Sequence, residues 1–439
     1  MIRIVTRLAI LAACSAASAQ DLVPAAPSQA EPIVLTGGDI HTIAGDIIER
    51  GAIRFDEGEV TDLGPAGEVD HADARVIDVG GHRVYPGLVA AQTQLGLIEI
   101  SAVSATIDSY EIGSINPEVR SVVAVNPDST LLPVARAGGV LLAGTFPNRG
   151  RIPGRAGVIR LDGWTWEDMA IDGDAGLVVN WPRIRPRDDA WTAKPDAEER
   201  EEITEALADF NEFFDAAEAY NNAKDAGESI PTDLRLDAMR PYVRGETPLL
   251  VDANDYDQIV SAVSWCADRG YRCVILGGRD AALCAPMLIE HGVPVILDGT
   301  HAFPKRADQA HSAAYELPAR LHEAGVDFCI GSSSRASNVR NLPHEAAMAA
   351  RYGLPPAEAV RAITAAPARI LGLGNRYGTL EPGKSATLIV ADGDILEITT
   401  RVAHAFIDGR EIDLSNKQTE LRDKYIEKYR QKSLLTETD

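Results

Sequence analysis

Between residues 85 and 375 the chain alternates short, bounded apolar runs with helix-like segments, and few architectures satisfy that alternation. Leu249-Leu250-Val251, Val274-Ile275-Leu276, Val293–Leu297 and Phe328-Cys329-Ile330 are too short for helices. They also lack polar alternation, as strands covered on both faces should. Each is followed within a few residues by a helix-like segment. Val140–Leu142 reads as another such strand, preceded by a helix-like Leu131–Ala137. Repeated strand–helix units of this kind close a parallel sheet into an α/β barrel whose site lies at the C-terminal strand ends. Asn180–Lys194 reads as a loop, and Pro195–Ala226 as a long helix with Ile203, Leu207, Phe210 and Phe214 on one face. The acidic run Asp196–Glu202 falls in its first turns, where carboxylates suit the helix dipole.

The flanks have a different texture. Ile33–Val84 and Gly378–Glu411 are strand-rich and punctuated by glycine turns. Lys417–Lys432 has a helical stripe of Leu421, Tyr425 and Tyr429 among charges, and is expected to pack on the barrel exterior.

Net charge is −23, which argues against nucleic acid and anionic membranes as partners. Residues 1–19 read as an export signal: basic Arg3 and Arg7, an apolar Leu8–Ala13, and Ala17-Ser18-Ala19 before Gln20. A Pro/Ala-rich tether follows over 20–32. Two processing routes are open, cleavage after Ala19 or acylation at Cys14 within Leu11-Ala12-Ala13-Cys14. No later apolar run is long enough to span a bilayer, so a periplasmic or secreted protein is expected, or a lipoprotein anchored through Cys14. Cys266, Cys273, Cys284 and Cys329 form no C-x-x-C pair, and their apolar surroundings favour buried free thiols.

Residues 84–96 read VYPGLVAAQTQLG. With Leu88–Leu95 as a strand, Gln92 and Gln94 share one face and Thr93 lies opposite. This stretch resembles the first barrel strand of the amidohydrolase superfamily, in its imidazolonepropionase-like branch. There the Pro-Gly-Leu is followed by a His-x-His pair that binds catalytic metal; here both histidine positions are glutamine. The resemblance covers nearly the whole chain after the tether. Gly353-Leu354, Glu358-Ala359, Ala366-Pro367-Ala368-Arg369 and the closing Glu381-Pro382-Gly383-Lys384 all match the family pattern. It implies a (β/α)8 TIM-like barrel over 85–375, with 33–84 and 376–415 pairing into one composite β-sandwich domain and 416–439 forming a C-terminal helix and tail.

The resemblance also locates the chemistry. Where the family places a strand-five histidine this chain has Asp252, and at the next strand end it has Gly277, Gly278, Arg279 and Asp280. The family's last-strand aspartate corresponds to Ser333, in Gly331-Ser332-Ser333. A catalytic metal lowers the pKa of bound water from about 15.7 to about 7 and is held by imidazole, thiolate or carboxylate donors. Neutral amides and hydroxyls hold zinc poorly. No metal or other cofactor is therefore expected, with a weakly held zinc as the alternative. Gln92 and Gln94 either fill a polar interior by bonding each other or water, or line a ligand pocket. The candidate binding residues are Gln92, Gln94, Arg279, Asp280, Ser333 and Arg335. The candidate catalytic residues are Asp252 and His301, the latter just past the strand Val293–Leu297. The expected function is an exported amidohydrolase-fold protein with its metal ligands replaced. It would be non-catalytic or weakly active, and would bind a small molecule or short peptide at the barrel mouth or partner a homologous active subunit. The alternative is an active hydrolase of carbon–nitrogen bonds with an atypical site. A homo-oligomer is open.

Overall fold

The computed structural model describes residues 23–186, 194–307, 309–332 and 336–434. The export signal at 1–19, Cys14, Ser333 and Arg335 lie outside the described residues.

The first strands are β1 (Ile33–Ile40), β2 (Ile48–Asp56), β3 (Glu59–Pro65), β4 (Arg75–Asp78) and β5 (Arg83–Pro86). Glu57 and Gly58 form a two-residue hairpin between β2 and β3, with φ of 49° and 86°. Positive φ at both central residues matches the right-handed twist of the flanking strands. Strand β1 pairs with β4 over Ile33–Thr36 and with β5 over Asp39–Ile40. Its register against β2 shifts on either side of Gly38, where a Cβ would meet Val79 O and His82 O at 3.0 Å.

The barrel runs in chain order. Strand β6 (Leu88–Thr93), helix α1 (Leu131–Ala137), β7 (Val140–Thr145), β8 (Gly154–Arg160), α2 (Trp166–Met169) and β9 (Ala170–Asn180) come first. Helices α3 (Asp196–Asp225) and α4 (Leu234–Val243) precede β10 (Leu249–Ala253), α5 (Tyr256–Arg269), β11 (Cys273–Gly277), α6 (Ala285–Glu290) and β12 (Val295–Leu297). Then come α7 (Ala313–Ala324), β13 (Phe328–Ile330), α8 (Leu342–Arg351), α9 (Pro356–Arg361) and α10 (Ala365–Ile370). Strands β6 to β13 lie side by side in sequence order, an eight-stranded barrel sheet. Seven are parallel, and β8 runs against both neighbours. The segment between β7 and β8 is too short for the crossover a parallel pair needs, so the chain returns as a hairpin. The sheet closes through residues 362–363: Ile330 N donates to Ala362 O at 3.0 Å and Val89 N to Ile363 O at 2.9 Å.

Inward residues of alternate positions, among them Val89, Leu142, Val158, Val178, Leu250, Val274, Ile296 and Cys329, form one apolar cluster. Ala366, Ala368, Ile370 and Tyr377 join it, so the segment around α10 plugs the end where the strands begin. The opposite end stays open. Cys266, Cys273, Cys284 and Cys329 are buried free thiols.

Strands β14 (Leu388–Ala391), β15 (Val402–Ile407) and β16 (Arg410–Glu411) return to the first sheet, where Ile389 pairs with Tyr85. Two segments some 300 residues apart thus share a sheet and a core of Leu35, Ile53, Phe55, Leu388 and Phe406. Helix α11 (Lys417–Gln431) departs from expectation: it buries none of its residues. Leu421, Tyr425 and Tyr429 remain exposed rather than packing on the barrel. Periodicity marks an apolar face without saying what covers it.

Candidate functional site

The register of β6 decides where the glutamines point. Ala90 pairs with Ala143 and Thr93 with Thr145, so one extra residue sits on β6 between them. This bulge resets the alternation. Thr145 contacts the Ser121 hydroxyl at 3.1 Å, outside the barrel, and Thr93 shares that side, donating to Gly144 O at 2.9 Å. By this register Gln92 and Gln94 share the side opposite Thr93, as their spacing predicts, and neither lines the recess at the strand ends. No side-chain hydrogen bond joins them to each other, and the buried Oε1 of Gln92 has no partner among the described residues. The bulge also explains Gly144, where a Cβ would lie 2.1 Å from Ala91 O.

Leu250 and Ile296 face inward, so Asp252 and Asp298, two residues on, point into the mouth from β10 and from just past β12. Both are accessible to water yet ringed by protein, as expected of walls around an open recess. Burial, and then the charge of Asp298, push Asp252 up to about 6, opposed by Arg279. Burial likewise raises Asp298, opposed by Arg279 and Lys305. Neither carboxylate has a salt-bridge partner among the described residues; Asp252 accepts only from Asn254 Nδ2, at 2.9 Å. A cleft of about 1000 Å³ runs past Trp181, Asp252, Asn254, Arg279 and Arg306. A neighbouring pocket of about 340 Å³ reaches Asp298, Leu297, Leu317 and the 90 % exposed Phe303.

The other candidates are engaged differently. Arg279 is ion-paired with Asp255, and its buried Nε has no partner among the described residues. Asp280 is buried and committed: it takes Arg306 in a two-pronged bond at 2.7 and 3.0 Å, and the Tyr256 N–H at 3.1 Å. It anchors the loop after β12 to the start of α5. His301 lines neither cavity. Its Nδ1 lies 3.0 Å from Glu345 Oε1, and Glu345 Oε2 accepts from Thr300 N at 2.6 Å, His301 N at 2.7 Å and Thr300 Oγ1 at 2.9 Å. The structure therefore separates His301 from Asp252 and gives each a different acidic neighbour. Sequence reasoning missed both neighbours. Asp298 had a signal, since it follows an inward strand residue as Asp252 does. Glu345 had none, because only the fold brings α8 against Thr300.

The raised Asp252 predicts a pH-dependent mutant. Its folded value lies above the ordinary carboxylate value near 3.9, so its charge opposes folding once pH rises past that value, and fully above about 6. Asp252→Asn should leave stability unchanged near pH 4 and raise it near pH 7.5. The gain should be about 1 kcal/mol once solvent access to the carboxyl is allowed for. Urea midpoints at the two pH values check this, and equal shifts at both would remove the argument.

The Amidohydrolase family model matches residues 258–412. The imidazolonepropionase of Geobacillus kaustophilus (strain HTA426) is 25% identical over 429 residues, covering 85% of this chain and 90% of that protein. The amidohydrolase tasK of Hapsidospora irregularis is 26% identical over 403 residues, 83% of this chain; the chain spans only 39% of tasK. An amidohydrolase structure from Thermotoga maritima MSB8 matches 87% of this chain and 99% of its own, with a TM-score of 0.76 at 24% identity, and shares the fold. Residues 258–412 belong to the amidohydrolase family, and the fold over most of the chain is that of an amidohydrolase. That family is one of hydrolases of carbon–nitrogen bonds.

Membership makes the metal question concrete. At the strand ends where the sequence resemblance would place the family's metal ligands stand Gln92 and Gln94, Asp252, Gly277-Gly278 and Gly331-Ser332. Gly277 has φ of +82°, and a Cβ there would lie 2.5 Å from Asn254 Oδ1, so no imidazole fits unless Asn254 moves. Among the described residues no group of three or more His, Cys, Asp or Glu side chains is placed to hold a metal ion. These donors do not fit a tightly held zinc.

Proposed function

We propose that this amidohydrolase-fold protein is exported and binds a small molecule or short peptide at the barrel mouth, with little or no hydrolysis and without a tightly held catalytic metal. One observation carries the reading. The strand ends present amides, glycines and hydroxyls, with Asp252 as the one carboxylate in a family ligand position among the described residues. The mouth still has what binding needs: a sizeable polar cleft, an adjoining pocket with apolar lining such as Leu297 and Leu317, two carboxyls with no ion-pair partner among the described residues, and the buried Arg279 Nε, likewise without a partner among them. Orphaned buried donors and acceptors favour a ligand that brings hydrogen bonds of its own. Elemental analysis of the purified protein tests the reading. Zinc, manganese or iron should fall well below one equivalent per chain, and amide hydrolysis should show no chelator-sensitive component. Stoichiometric metal, or turnover lost on chelation, would overturn it.

The raised Asp252 supports a second reading, in which hydrolysis persists with Asp252 as proton donor. Asp252→Ala should then abolish turnover, whereas His301→Ala, outside the cleft, should not. Unchanged turnover in Asp252→Ala would remove it.

A further inference from the structure

Helix α11 has a face that nothing in the described chain covers. Its start is well held: the Asn416 side chain accepts from Gln418 N at 2.9 Å and Thr419 N at 3.2 Å, and Gln418 Oε1 takes a bond from Arg340. Beyond that first turn no residue is buried. A lone helix of this length and composition is marginal in water, and most helices draw their stability from a packed apolar face. Here that face exists but is bare, with Leu421 42%, Tyr425 47% and Tyr429 43% exposed.

The charges are sorted around it. With one residue every ~100° of helix, Lys417, Lys424, Lys428, Arg422 and the capping Lys432 border or fall within the Leu421–Tyr425–Tyr429 stripe. Glu420, Asp423 and Glu427 fall on the far side together with Arg430, and Arg422 is ion-paired with Asp423 at 2.7 Å, so the basic excess at the stripe rests on Lys417, Lys424, Lys428 and Lys432. Lys428 Nζ lies 5.2 Å from the Tyr425 ring centre and 5.8 Å from that of Tyr429, so the cation and aromatics form one surface. Such a face selects an acidic partner. It also disfavours pairing with another α11, since both stripes carry basic borders.

The chain itself supplies the complement. Its net charge is −23, and the first turns of α3 expose Asp196, Glu198, Glu201, Glu202 and Glu205 around half-buried Ile203 and Leu207. We propose that α11 docks on the first turns of α3 in a second copy of this chain, as a two-fold dimer that makes the contact twice. One helix face is small against the roughly 800 Å² per partner of a standard interface, and two-fold repetition doubles it. The contact is electrostatic, so salt weakens it.

Sedimentation of the full-length purified protein tests this. At about 50 µM chain the wild type should be largely dimeric in about 50 mM salt and monomeric in about 500 mM. Lys424→Glu/Lys428→Glu should weaken the dimer at least about ten-fold, and Glu201→Lys/Glu205→Lys should do the same. Combining the two pairs should restore it. All four positions are solvent-exposed, so in about 500 mM salt, where the wild type is monomeric, the thermal midpoint should move little. A monomer in low salt would overturn the proposal, as would a dimer indifferent to the charge reversals, or reversals that do not rescue each other. Lysine-dependent pelleting of a monomeric wild type with phosphatidylglycerol vesicles would also overturn it, and would assign the face to a membrane.

Discussion

Replacing Asp162 with alanine is expected to destabilise the chain by about 3–5 kcal/mol, the range for removing one partner of a buried ion pair. Asp162 lies just past β8 with 1% of its side chain exposed, between Arg136 Nη1 at 3.0 Å and Arg410 Nη1 at 2.7 Å. It also accepts from the Ala26 N–H at 3.2 Å. The cost arises on the arginine side. Arg136 is 4% exposed, and burial already works against its charge, which Asp162 and then Asp413 support. Alanine leaves that nearly buried guanidinium without its near counter-ion. Asparagine keeps an acceptor but not the charge, and should fall between. The Arg75–Glu411 pair provides the contrast: its side chains are 41% and 36% exposed, and Glu411→Gln should cost less than about 1 kcal/mol. Urea midpoints at constant m-value measure both. If Asp162→Ala moved the midpoint no further than Glu411→Gln, the buried network would not be what joins these segments. The position matters because Ala26, Arg136 and Arg410 belong to the chain entry, the first barrel helix and the last sheet strand. One carboxylate ties all three together.

The strands legible in the sequence were those buried on both faces. Leu249-Leu250-Val251, Cys273–Gly277 and Phe328–Ile330 announce themselves because no solvent-facing position interrupts them. Gly154–Arg160 and Ala170–Asn180 were not legible. The first carries two glycines and alternates with arginine, and the second opens on a half-buried Ala-Ile-Asp-Gly-Asp. Antiparallel β8 follows from a connection length, and that requires knowing that 154–160 is a strand. At the site, Asp252 and Arg279 were readable and line the cleft because a strand end fixes where a side chain points, whereas Gln92 and Gln94 line neither cavity. Asp298 was hidden by its place in Asp-Gly-Thr-His, which reads as a turn. Glu345 was hidden because an acidic residue in the first turn of a helix usually needs no partner beyond the dipole. The bare face of α11 marks the same limit: spacing identifies a stripe, while its neighbours come from tertiary structure.

Glu345 offers the other large effect, and it reaches the mouth without touching a ligand. Its carboxylate, 5% exposed, gathers Thr300 N, Thr300 Oγ1, His301 N and His301 Nδ1. Glu345→Ala leaves these donors facing a small cavity. Each unsatisfied buried group costs about 1–3 kcal/mol, and relaxation of the loop keeps the sum below full additivity, so a loss of about 3 kcal/mol is expected. Thr300→Val removes only the hydroxyl and should cost about 1 kcal/mol. The two variants differ more sharply in where order is lost. The Thr300 and His301 amides donate directly to Glu345, so their hydrogen exchange should accelerate in Glu345→Ala, with Asp298 two residues upstream and Phe303 two residues downstream. Amides of β10 and β11, held by the parallel ladder, should keep their protection. Any compound that binds the cleft should then lose affinity in Glu345→Ala, because the Asp298 wall of the pocket is no longer fixed, although Glu345 lies behind the loop. Unchanged exchange at Thr300 and His301 would show that the Asp280–Arg306 bond alone pins this loop, and Glu345 would then have no part in shaping the mouth.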